Sequence, residues 1–191
     1  VQKDVGENGR DSKAVSIILE PIGEKGVGML SFDYDDPDKD VDNWLYLSAL
    51  GKVKRIVSSS DDDDSESGSF FGTEFSVDDM ESVDVDEYTY KILKETTYQK
   101  RPVWILESIP TAKRARKTRY AKTIAWIDKE RFISLKIMFY NRHGKPHKKL
   151  IMRNIKRIDG VWVAQQMTMT NLITKRLTNM KQSSISFNID I

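Results

Sequence analysis

Hydrophobic side chains in this chain recur at every second position. In FISLKIMFY, Ile133, Leu135, Ile137 and Phe139 share one side, with Ser134 and Lys136 on the other. In SISFNIDI, Ile185, Phe187, Ile189 and Ile191 alternate with Ser184, Ser186, Asn188 and Asp190. Successive strand residues point to opposite faces, so each run makes a strand with an apolar face and a wetter one. The same pattern places strands near 12–20, 27–35, 42–48, 52–58, 88–95, 102–109, 118–127, 132–141, 148–158, 161–171, 174–181 and 183–190. Turns such as EPIGEKG, NRHGKP and IDG are too short for the crossover that a parallel pair needs. The expectation is a mainly β chain, an antiparallel meander in a single domain over residues 1–191. No internal repeat stands out, which argues against a propeller or solenoid.

Composition narrows the function classes. The 191 residues are 39% hydrophobic and 31% charged, enough for a core, and no apolar run approaches a membrane-spanning helix. With no Cys there is no disulfide, thiolate metal site or Cys nucleophile, and His143 and His147 are the sole histidines. The net charge of +2 hides an asymmetry: residues 1–95 carry −14 and residues 96–191 carry +16. An acidic half of equal size would repel phosphate, so nucleic acid is not an expected partner. The chain starts at Val1 without a Met or secretion signal, which suggests a trimmed or processed protein.

Two segments break the alternation. SSSDDDDSESGS (58–69) is acidic, low in complexity, and expected to be a flexible loop. FSVDDMESVD (75–84) reads as a short helix capped by Ser76, with Asp78 and Asp79 at its positive end. An open sheet with so little helix leaves an apolar face needing cover.

WLYL (44–47) is apolar on both faces, with Trp44 and Tyr46 on one and Leu45 and Leu47 on the other. Such a strand is covered on both sides or lines a cavity. Trp104, Trp126 and Trp162 also fall in strands. With Phe132, Met138, Phe139, Met167 and Met169 they fill an ordinary core or line an apolar hollow, in which Met would suit variable ligands.

DNWLYLSALGKVKRI (42–56), followed by SFFGTEFSVDDM (69–80), resembles the outer-membrane lipoprotein-sorting, LolA-like proteins of the branch found beside RND-type exporters. Trp44, Leu45, Tyr46, Leu47, Leu50, Val53, Arg55 and Ile56 match the first motif of that branch; Gly72, Phe75, Ser76 and Asp79 match the second, with Phe71 nearly aligned. Ser48, Thr73, Glu74 and Val77 depart from it mildly. The resemblance runs from about Leu19 to the end. It implies a strongly curved antiparallel sheet, an unclosed half-barrel, with a few helices covering its concave face. The family's N-terminal helix and first strand have no counterpart before Val1, and a signal peptide is expected to have been removed.

The resemblance also implies a function: a periplasmic, non-enzymatic protein that shelters lipid or lipoprotein acyl chains in the hollow. The lining candidates are Trp44, Tyr46, Trp104, Trp126, Phe139, Trp162 and Met167; Phe71, Phe75 and Met80 are gating candidates. No cofactor, metal or catalytic residue is expected. His143 and His147 sit by a Gly–Pro turn without nearby carboxylates, and Asp36, Asp38 and Asp40 lack the Gly and the bidentate Glu of a calcium loop. KRARKTRYAK (113–122) is read either as a surface for anionic headgroups or an acidic partner, or as a solvated loop and edge strand protected by its charges. The alternative function is an accessory module docking on an RND-type exporter, with a filled core and no ligand.

Overall fold

The computed structural model describes residues 2–5, 11–20, 22–34, 36, 39, 41–56, 69–80 and 84–187. They form twelve strands: β1 Gln2–Val5, β2 Asp11–Ile17, β3 Gly28–Asp33, β4 Asp42–Leu47, β5 Lys52–Ile56, β6 Tyr88–Tyr98, β7 Arg101–Pro110, β8 Tyr120–Asp128, β9 Ser134–Asn141, β10 Pro146–Ile158, β11 Val161–Asn171 and β12 Leu177–Lys181. Every pair is antiparallel and joins strands adjacent in sequence. The mainly β, unclosed meander expected from alternation is what the chain adopts. It falls into two sheets, β1 to β5 and β6 to β12, where one was expected. The physical reason lies in the connections. Tight turns impose register inside each sheet, whereas a 31-residue segment separates Ile56 from Tyr88. The chain divides into two compact units, residues 1–59 with 77–82 and residues 60–76 with 83–191.

Turn chemistry explains the register of the second sheet. Asp159 and Gly160 have φ of 47° and 86° between the paired Ile158 and Val161. Two residues with positive φ make the turn whose twist matches a hairpin. Gln99 and Lys100 do the same between Tyr98 and Arg101, with φ of 49° and 65° and no glycine. That hairpin extends β6 and β7 beyond the expected 88–95 and 102–109.

Other expectations shift. No α-helix occurs among the described residues; the helix expected over 75–84 is a 3-10 turn at Val77–Met80. Ser184 takes φ 55° and 183–187 carry no strand, because a left-handed residue ends the pleat that alternation alone predicts. β1 was not anticipated, being too short to show a period. His147 is buried in β10 and stands 6.4 Å from the Tyr120 ring, so it belongs to a strand and not to a solvated turn. β8 lies between β7 and β9, so the basic run 113–122 does not form a sheet edge. Residues 58–68 of the acidic run, together with Asp38 and Asp40, lie outside the described residues; Ser69 pairs with Ser76.

Candidate functional site

The first sheet has two unlike faces. Direct partners across antiparallel strands share a face. Val15, Leu30, Trp44 and Arg55 form one row, and Ile17, Gly28, Tyr46 and Val53 the next on the same side. The opposite side carries Met29 and Asn43, both buried. The first side is apolar yet open: Ile17 is 59% exposed, Val53 64% and Tyr46 43%. Leu19, Ile22 and Leu50, in the flanking loops, are exposed as well. A contiguous exposed apolar face of this kind is a candidate binding surface. One end of it is polar. Arg55 pairs with Asp42, which accepts a hydrogen bond from the Tyr34 hydroxyl at 3.0 Å. The Arg55 guanidinium, then the Tyr34 hydroxyl, hold the Asp42 carboxyl below its usual range. Lys13 stands 4.7 Å over the Phe32 ring, which meets Trp44 edge-on at 5.1 Å.

The second sheet is also two-faced. One row across all seven strands reads Ile92, Leu106, Ala125, Ile137, Leu150, Met169 and Thr178. Flanking partners on that side are Trp104 with Ile127, Phe139 with Thr123, and Met167 with Met152 and Met180. The adjacent row on the other side reads Lys94, Ile105, Trp126, Lys136, Ile151, Thr168 and Asn179. This is the cationic side.

The lining candidates therefore separate. Trp44 and Tyr46 come together on the open face of the first sheet. Trp104, Phe139 and Met167 share the apolar side of the second, where Phe139 is buried. Trp126 and Trp162 stand on its cationic side, Trp162 opposite Arg157. Sequence reasoning did not single out Val15, Ile17 and Leu30, and took Val53 for a motif residue without placing it in the lining. Their alternate positions flanking WLYL were the available signal.

SFFGTEFS closes on itself. Phe71 and Gly72 have φ of 52° and 70°, and the Thr73 amide donates to the Phe70 carbonyl at 3.1 Å. The Phe70 amide donates to the Phe75 carbonyl at 2.8 Å. The turn is fastened to β12 and the loop before it: the Glu74 amide donates to the Thr178 hydroxyl at 3.0 Å, and Arg176 pairs with Glu74 at 3.0 Å. Of the gating candidates, Phe75 is 2% exposed and Phe71 half-buried; the Met80 side chain lies outside the described residues.

Among the described residues no group of three His, Asp or Glu side chains could hold a metal. Asp128 is fully buried, held by Arg101, and accepts the Glu130 and Arg131 amides at 3.0 and 3.2 Å. Burial acts to raise its pKa, but Arg101 and the two amides prevail and hold the carboxyl below its usual range.

A family profile described as an uncharacterized protein family matches residues 10–191. An outer membrane lipoprotein-sorting protein domain from Vibrio parahaemolyticus is 31% identical, with 98% of this chain aligned to 78% of that one at a TM-score of 0.78. This chain belongs to the LolA-like family. A DUF1329 family protein from Desulfovibrio piger superposes on the LolA-like chain with a TM-score of 0.83 at 25% identity, covering 97% of this chain and 77% of its own. The LolA superfamily protein NE2245 from Nitrosomonas europaea, 18% identical, shares the fold at a TM-score of 0.61 over 91% of this chain and 74% of its own. No curated protein matches the LolA-like chain in sequence.

Proposed function

We propose that this LolA-like chain is a periplasmic, non-enzymatic carrier that shelters the acyl chains of a lipid or lipoprotein against its apolar sheet faces. The observation that carries the reading is the open face of the first sheet. Val15, Ile17, Leu30, Tyr46 and Val53 leave a continuous apolar surface in water. Each acyl methylene laid on such a surface contributes about 0.8 kcal/mol. The polar end supplied by Lys13, Asp42 and Arg55 suits the headgroup end of an amphiphile. The kinship with a lipoprotein-sorting domain supports a ligand of this character and a place in the cell envelope.

The test is displacement of a fluorescent fatty acid. Wild type binds the probe and releases it to phospholipid. Tyr46→Asp, at an exposed position that does not support the core, weakens binding about tenfold with an unchanged circular dichroism spectrum. If no lipid competes below micelle formation, the carrier reading fails, and docking on an RND-type exporter without a ligand takes its place.

A further inference from the structure

We infer that the cationic side of the second sheet docks on a membrane surface carrying anionic headgroups. The inference rests on charge and register and is independent of the acyl-chain site. Lys91, Lys94, Lys136, Lys149, Arg153 and Lys181 all fall on this side by direct pairing. Among the described residues none of the six forms an ion pair with a carboxylate, although Glu107 stands directly across from Lys91. The two carboxylates on the same side are taken: Glu107 by Lys122 at 2.8 Å, and Asp128 by Arg101. A sheet face that gathers cations and leaves them unneutralised presents a field complementary to an anionic layer.

Three features choose the occupant. Five of the six cations are lysines. Interfaces between proteins favour Arg and are depleted in Lys, because a planar guanidinium matches a fixed carboxylate. A hydrated ammonium on a flexible stem suits a fluid layer of headgroups with no fixed geometry. Second, the aromatic rings on this side are capped by cations: Lys136 lies 4.0 Å over Trp126 and Lys122 5.3 Å over Tyr140. With these rings covered, the attraction is electrostatic and does not depend on insertion. Third, Lys136 is held against its own charge. Burial pushes its ammonium below the ordinary value, and Lys149 pushes it further. An arriving anion relieves that repulsion.

The experiment is sedimentation of the full chain with vesicles of phosphatidylcholine mixed with phosphatidylglycerol, against vesicles of phosphatidylcholine alone. Binding is expected to the anionic vesicles only and to weaken as salt rises. Lys136→Gln with Lys149→Gln weakens it by roughly thirtyfold, and so does Lys91→Gln with Lys94→Gln. Lys91 and Lys94 are exposed on the edge strand β6, so that second pair keeps the fold and decides the outcome by itself. Equal binding to both vesicles overturns the inference, as does full retention by the Lys91/Lys94 variant. Displacement by inorganic phosphate at constant ionic strength would reveal a small-anion site instead. Binding of polyglutamate without vesicle binding would reveal an acidic protein partner. Unchanged fatty-acid binding by the lysine variants separates this result from the fate of the carrier reading.

Discussion

Arg101 grips Asp128 with two nitrogens, Nη2 lying 3.1 Å from Oδ1, where β7 begins and β8 ends. Asp128→Asn removes the charge-assisted bonds to Arg101 while Arg101 keeps Glu130, and should lose about 1.5–3 kcal/mol in urea unfolding. The native Asp128 pKa is depressed. Its contribution is therefore complete above the unfolded carboxylate value of about 4 and fades as pH falls through the lower native value. The stability gap between wild type and Asp128→Asn should narrow below about pH 4; a gap independent of acid would refute the assignment.

The β6–β7 turn invites stabilisation. Lys100 sits at φ 65°, a region that costs a side-chain-bearing residue about 1 kcal/mol or more. Lys100→Gly should raise stability by roughly 0.5–1 kcal/mol, after allowing for glycine's greater freedom in the unfolded chain. Thermal unfolding reads it, and a lowered midpoint would contradict the turn geometry.

Phe75 is the anchor of the turn fastened to β12. Its truncation to Ala should cost about 3–4 kcal/mol. Thr178→Val, which removes the acceptor for the Glu74 amide, should cost about 1 kcal/mol. Equal and negligible losses in denaturant titrations would mean that the turn is not part of the folded unit.

The four tryptophans report on the faces. In single-tryptophan variants, an acyl chain brominated along its length should quench Trp44 and Trp104, on the apolar sides, and spare Trp126 and Trp162. Quenching of all four alike would break the division argued from register.

Alternation within a strand was legible; its phase between strands was not. Trp104 and Leu106 interleave with Val103 and Ile105 on β7, and all four are apolar. Nothing in that strand says which side is inside, so Trp126 and Trp104 were grouped although they stand on opposite faces. Register shifts between Ile92 and Lys94 and between Tyr120 and Lys122 add to the ambiguity, because an extra residue reverses every side chain beyond it. TTYQKR looked like loop because its residues are polar; Gln99 and Lys100 turn there without the Gly or Asn that announces a hairpin. WLYL offers no contrast between its faces either, since Leu45 and Leu47 are as apolar as Trp44 and Tyr46; the structure leaves the Tyr46 side open to water, which the sequence does not tell.

Each ladder joins strands that are consecutive in the chain, and this governs how the molecule assembles. Segments about to pair are already tethered by two to ten residues, so little loop entropy stands between the open chain and each new ladder. The slow search that distant pairings impose on many sheet proteins is largely avoided within either sheet. The Asp159–Gly160 hairpin, preset for closure, is the natural place for zippering to begin in the second sheet, with β9 and β12 adding outward from β10 and β11.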